Sequence, residues 1–258
     1  GARFYTYISS LHYVMEACAE LEIPVILLDR PNPNGHYIDG PVLEFEHKSF
    51  VGMHKVPVVY GMTIGEYGQM INGEKWLENG IQCDLTVIPL QGYTHKTEYS
   101  LPVKSSPNLP NDKSINLYPS LCFFEGTNVS VGRGTEMQFQ IVGNPELGLK
   151  PYNFEFTPKP NEGAKFPKHN GEICYGYDLR KEKKLDRIEL KWLIDFYESH
   201  KNHSKEKEFF TIFFTKLAGT KKLQQQIEQG LLEQEIRKTW QNDLEEFKII
   251  RNKYLLYE

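Results

Sequence analysis

Between Leu121 and Glu136 the chain reads LCFFEGTNVSVGRGTE: an apolar lead, one carboxylate at Glu125, then small polar residues around one guanidinium, Arg133. Thr127, Asn128, Ser130 and Thr135 offer hydroxyl and amide groups that donate and accept, and Arg133 offers a rigid fork of donors suited to a carboxylate or similar anion. Gly126, Gly132 and Gly134 let the backbone pass close to a ligand or take a positive φ. Two readings fit. In one, the stretch holds a polar molecule between an acid and an anion grip; in the other it is a polar turn closed by a Glu125–Arg133 salt bridge. It is not a phosphate loop, because GRGT lacks the GxxxxGK[ST] spacing.

A second stretch, DRPNPNG from Asp29 to Gly35, follows the apolar run IPVILL. Asp29 and Arg30 would stand at the carboxyl end of a strand, where ligands of open α/β sheets bind. Asn32 and Asn34 could contact hydroxyls or amides, presented on a loop stiffened by two prolines. The alternative is a Pro/Asn/Gly turn with Asp29 accepting from a backbone amide; the place at a strand end favours a site. Arg3 and Tyr5, in GARFYTY, stand at the start of a helix, where free backbone amides favour anions, or else at a solvated helix end. Glu66, three residues after Thr63, has capping-box spacing and needs no further role. His54 has no acidic or cysteine neighbour in sequence and reads as structural. The triplets Asn128-Val129-Ser130 and Asn202-His203-Ser204 are low-specificity matches to a glycosylation acceptor.

These groups need elements to carry them. At 258 residues, 40% hydrophobic and 25% charged, the chain can bury the core of one large domain or two modest ones. A net charge of −4 gives no electrostatic case for nucleic acid. The 15 Tyr and 15 Phe hint at sugar stacking, though most such rings serve cores. The four cysteines are scattered without a CxxC pair, which argues against zinc, and neither metal nor cofactor is expected. No apolar run reaches membrane-spanning length and no stretch reads as a signal peptide.

Phe4, Ile8, Leu11, Met15 and Cys18 recur at helical spacing. The run from Ile23 to Asp29 predicts a strand covered on both faces. Helix, strand and polar loop in that order predict an open α/β sheet, with a further buried strand over Cys83–Leu90. The stretch Thr94–Lys113, rich in Pro, Ser, Asn and Lys, marks the boundary between domains at 1–110 and 111–258. Beyond it, strands are expected over 136–143, 152–160 and 172–180, then C-terminal helices interrupted at Gly219 and Gly230. Opening on a helix that feeds a strand, with no earlier strand to pair with, the chain reads as the C-terminal part of something longer.

Taken together, GARFYTYISSLHYVMEACAE, VILLDRPNPNG, GPVLEFEHKSFVGMHKVPVVYGMTIGE, YPSLCFFEGTNVSVGRGT, LAGTKKLQQQIEQG and the terminal RNKYLLY resemble the NamZ-type exo-β-N-acetylmuramidases. The resemblance covers essentially the whole chain. It implies the C-terminal portion of a Rossmann-like α/β domain plus a smaller α+β domain. It also implies release of N-acetylmuramic acid from the non-reducing end of peptidoglycan fragments, hence a peptidoglycan-derived sugar as partner and a periplasmic or secreted location. On that footing Glu125 is the expected acid/base and Arg133 the grip on the lactyl carboxylate. Asn128 and Asp29 would hold hydroxyls or the N-acetyl group, with further contacts from Arg3, Tyr5, Arg30, Asn32, Thr127, Ser130 and Thr135. Members of that family carry a further half of the first domain, with another glutamate-bearing motif, that has no counterpart here. Two rival readings remain: a non-catalytic peptidoglycan-binding module, and a nucleotide-binding protein, against which the lack of GxGxxG counts.

Overall fold

The computed structural model describes residues 1–147, 152, 154–203 and 208–258. Asn153 of the strand expected over 152–160 and Ser204 of the second Asn-X-Ser triplet lie outside the described residues. In chain order the elements are α1 (Tyr7–Glu20), β1 (Val25–Leu28), β2 (Asp39–Val42), β3 (Pro57–Val59), α2 (Ile64–Gly73), β4 (Leu85–Ile88), α3 (Asp112–Leu121), β5 (Ile141–Asn144), β6 (Phe154–Phe156), β7 (Cys174–Asp178), α4 (Lys191–His203), α5 (Ile212–Ala218), α6 (Lys222–Glu228), α7 (Glu233–Lys238) and α8 (Gln241–Arg251). This is a mixed α/β chain in two compact units, one of Gly1–Tyr99 with Lys238–Glu258 and one of Ser100–Arg237. No helix among the described residues is long and apolar enough to cross a membrane.

In the first unit, α1 buries Ile8, Leu11 and Met15, the stripe its spacing predicts. β1 and β4 pair in parallel with Val25 opposite Leu85 and Leu28 opposite Ile88. A parallel pair requires a long crossover, and here it contains the antiparallel β2–β3 pair and α2. α2 starts on a complete capping box: Thr63 Oγ1 accepts from the Glu66 amide while the Glu66 carboxylate accepts from the Thr63 amide. The composition of β1 predicts cover on both faces, but the strand is covered on one. Leu27 packs inward beside Gly68, where a Cβ would sit 3.0 Å from it, while Ile26 and Leu28 are 68% and 66% exposed. The reason is geometric: α1 and α2 both contribute to the core cluster that takes Val25, Leu27 and Leu85, and these share one face of the pair.

The last helix also belongs to this unit, not to the domain of residues 111–258 in which the C-terminal helices are expected. Phe247 of α8 enters the same core as Met15, Tyr67 and Met70. The Arg251 guanidinium donates to the Gly61 carbonyl, and Tyr254 donates to Glu74 at 2.7 Å.

The second unit holds the antiparallel sheet β5-β7-β6. α3 begins on a second capping box, between Asn111 and Ser114, and runs on as a 3-10 turn over Cys122–Gly126. Leu117, Phe123, Phe124, Phe196 and Phe214 are fully buried and fix that turn in the core.

Candidate functional site

The 3-10 turn alternates between burial and display. Phe123 and Phe124 fill the interior, Glu125 is carried outward, and Gly126 lies so close to the next segment that a Cβ would stand 2.4 Å from the Phe214 backbone. The motif's threonines build its backbone. Thr127 Oγ1 donates to the Phe124 carbonyl at 2.9 Å and accepts from the Val129 amide; Thr135 Oγ1 donates to the Gly132 carbonyl at 2.7 Å and accepts from the Met137 amide. Asn128 serves the frame too, its carbonyl accepting from His169 Nε2 at 2.6 Å and Asn144 Nδ2 at 3.1 Å. Ser130 bridges to Gly143 through its backbone and accepts from the Gly132 amide on its hydroxyl.

Glu125, Ser130 and Arg133 meet at a cavity of about 360 Å³, whose wall also includes Lys165, Phe166 and Lys168. Arg133 Nη1 donates to Glu125 Oε1 at 2.5 Å, so the salt bridge that the sequence allows is formed, and it stands in the cavity wall. Both partners are partly solvated, Glu125 at 24% and Arg133 at 40%, so little stability is lost when a ligand separates them. Three cations and one carboxylate line the space, a balance that favours an anionic guest.

Lys168 could not be found from motif spacing, since it lies 43 residues beyond Glu125. Its ammonium donates to the carbonyls of Thr127 at 2.6 Å and Phe124 at 3.0 Å, with those of Glu125 and Val129 at 3.3 and 3.4 Å. Burial pulls its pKa down to about 8, opposed by Glu125 and reinforced by Arg133. Lys168 therefore ties together the segment that presents Glu125.

In the first unit the expected contact residues are mostly turned to structure. Asp29, expected to hold substrate, is buried with both oxygens engaged: Oδ1 accepts from the amides of Arg30 and Gly65, Oδ2 from the hydroxyls of Thr63 and Tyr257, all at 2.7–2.8 Å. It ties the end of β1 to the start of α2 and to the chain's last residues. Asn32 is buried, donating to the Met62 carbonyl and accepting from the Asn34 amide. Arg3 is wholly buried and donates to the carbonyls of Pro41 and Val56, and burial lowers its pKa to about 9. Tyr5 is half-buried, edge-on to Tyr7, and Arg30 is exposed. Asp29→Ala leaves four donors without their acceptor and is expected to cost about 2–3 kcal/mol. Denaturant titration should show a lower midpoint at unchanged slope; an unchanged midpoint would deny Asp29 this role.

His54 has partners that are distant in sequence. Its Nδ1 lies 3.0 Å from Tyr67 Oη and its Nε2 2.9 Å from His12 Nδ1, while His12 Nε2 lies 3.3 Å from Glu16, and Trp76 stacks on the His54 ring. Glu66, beyond its capping box, accepts from His95 Nε2 and the Leu256 amide, both at 2.9 Å. Glu44, Glu46 and His47 bring ligand-type atoms within 4.8 Å of one another on a solvated turn, the one such grouping among the described residues.

The chain matches two family models, described as Exo-beta-N-acetylmuramidase NamZ, N-terminal, over residues 1–113 and Exo-beta-N-acetylmuramidase NamZ, C-terminal, over residues 116–257. It is 37% identical over 285 aligned residues to the peptidoglycan beta-N-acetylmuramidase NamZ of Bacillus subtilis (strain 168), a match covering 100% of this chain and 65% of that protein. Two crystal structures of DUF1343 family proteins from Bacteroides fragilis NCTC 9343 also match over 100% of this chain. One has a TM-score of 0.95 at 47% identity and is covered to 73%; the other has 0.85 at 26% and is covered to 72%.

Proposed function

The chain belongs to the NamZ exo-β-N-acetylmuramidase family, and from that premise we propose that it removes N-acetylmuramic acid from the non-reducing end of peptidoglycan fragments. The observation that carries the reading is the cavity of the second unit, with its excess of cations around one carboxylate. Muramic acid differs from glucosamine by a lactyl carboxylate, and a guanidinium fork binds such a group in two parallel hydrogen bonds. The incoming carboxylate competes with Glu125 for Arg133. Once Arg133 turns to the sugar, Glu125 is free to take a proton from solvent and pass it to the leaving oxygen. Ser130, on the same wall, offers a hydroxyl to the ring substituents, while Thr127, Asn128 and Thr135 act through the loop they build.

Glycoside hydrolysis ordinarily takes two carboxyl groups. Among the residues lining this cavity Glu125 is the one carboxylate, so it is the contribution this stretch makes. The parallel β1–β4 pair, with its helices on one face and the polar Asp29–Gly35 loop at its carboxyl end, supports reading the first unit as the C-terminal portion of a Rossmann-like open sheet. A cell-wall substrate supports a periplasmic or secreted location.

The test is hydrolysis of a chromogenic β-N-acetylmuraminide beside the matching N-acetylglucosaminide. Release from the muraminide alone is expected, because only that sugar offers Arg133 a carboxylate. Equal release from both would overturn the role of the cations. A second reading, a peptidoglycan-binding module without turnover, is favoured by the Glu125–Arg133 pairing and the single carboxylate. Calorimetric binding of the muraminide with no release would select it.

A further inference from the structure

Phe166 is the most exposed large apolar side chain among the described residues, at 96%, and it stands in the wall of the cavity beside Arg133 and Lys165. A lone exposed phenylalanine is ordinary. This one is held out by a stiff support. Upstream, Asn161 and Ala164 close a tight turn through paired backbone hydrogen bonds of 3.0 and 3.2 Å. Downstream, Pro167 restricts Phe166 to extended backbone. Pro167 packs against Gly134, whose φ of +82° and missing Cβ (which would lie 2.7 Å from Pro167) allow the approach. Next comes Lys168, fastened to the carbonyls beneath Glu125.

The cavity itself is small. Its volume of about 360 Å³ is near the low end of ligand pockets, roughly 300–1,000 Å³. It has room for one sugar residue, and a longer saccharide must cross the rim. A pyranose presents an apolar face of C–H groups, which an aromatic ring carried on a braced backbone can cover. The geometry points to Phe166 as a stacking platform for the sugar that follows the one in the cavity, the leaving-group residue. This inference rests on the function proposed above.

The experiment compares wild type, Phe166→Ala and Phe166→Trp on two substrates: a disaccharide of N-acetylmuramic acid on N-acetylglucosamine, and the methyl β-muraminide. Phe166→Ala should raise KM for the disaccharide about tenfold, the worth of about 1.4 kcal/mol, and leave the methyl glycoside within about twofold. Phe166→Trp should restore the wild-type value, and thermal midpoints should coincide because the ring is exposed. Equal changes on both substrates, or none on the disaccharide, would overturn the platform. Should wild type hydrolyse neither, the proposed function fails separately. Calorimetric titration with the disaccharide then decides the platform: affinity about tenfold weaker in Phe166→Ala supports it, and equal or absent affinity overturns it.

Discussion

Glu125→Gln is expected to lower release of N-acetylmuramic acid by about 10²–10⁴-fold, the range of a lost general acid–base group. Saccharide affinity should stay within about threefold. The amide keeps the size of the carboxyl and can still accept from Arg133, which now lies 2.5 Å from Glu125, but it cannot transfer a proton. Steady-state kinetics with calorimetric binding on the same preparation checks both halves. Arg133→Lys supplies the contrast, since it keeps the charge and loses the fork. Its effect should fall on KM for the muraminide, with kcat nearly retained. A Glu125→Gln enzyme of normal turnover would remove Glu125 from the reaction.

Acidification is expected to destabilise the first unit from about pH 6.5 downward, before the carboxylates titrate. Burial, with His12 and Lys48 adding to it, pushes the pKa of His54 down to about 3 from 6.5, and burial lowers that of His12 as well. The hydrogen-bond chain gives the reason. Tyr67 donates to His54 Nδ1, His54 Nε2 donates to His12 Nδ1, and His12 Nε2 faces Glu16, so one proton on each ring completes the chain. Below pH 6.5 the unfolded chain takes up protons that the folded chain refuses, and stability falls by about 1.4 kcal/mol per pH unit for one histidine. His54 alone then accounts for about 2 kcal/mol by pH 5 and about 4–5 kcal/mol by pH 3, with His12 acting in the same direction. Glu66 adds a later loss with the same sign. Its pKa is held below 4.5, burial being outweighed by hydrogen bonds from His95 and from the Thr63 and Leu256 amides. Denaturant midpoints across pH 7 to 5 should fall in wild type and fall less steeply in His54→Gln; a flat wild-type profile would contradict the account.

What could be read from the sequence was local. Both halves of the Thr63–Glu66 capping box lie three residues apart, and the Glu125–Arg133 pair spans eight. The unread features depend on chain distance. Lys168 reaches its carbonyls from about forty residues away, and nothing in its neighbourhood marks it as tied to them. Asp29 reads from sequence as a strand-end site residue, because a polar side chain there can face either a cleft or a backbone. Tyr257, 228 positions later, together with Thr63 and Gly65, makes it a tie-point instead. The β1 run is apolar on both alternations, so composition cannot tell which face α1 and α2 cover. Phe166 has no mark in the sequence, because its exposure in the wall of the cavity, not its residue type, distinguishes it from the fourteen other phenylalanines.

The most direct measurement is a crystal structure of Glu125→Gln soaked with a disaccharide ending in non-reducing N-acetylmuramic acid. The account predicts the muramic ring in the cavity, its lactyl carboxylate on the Arg133 guanidinium, the amide introduced at position 125 turned to the glycosidic oxygen and the second sugar over Phe166. A disaccharide bound with this cavity empty, or with its carboxylate away from Arg133, would contradict it.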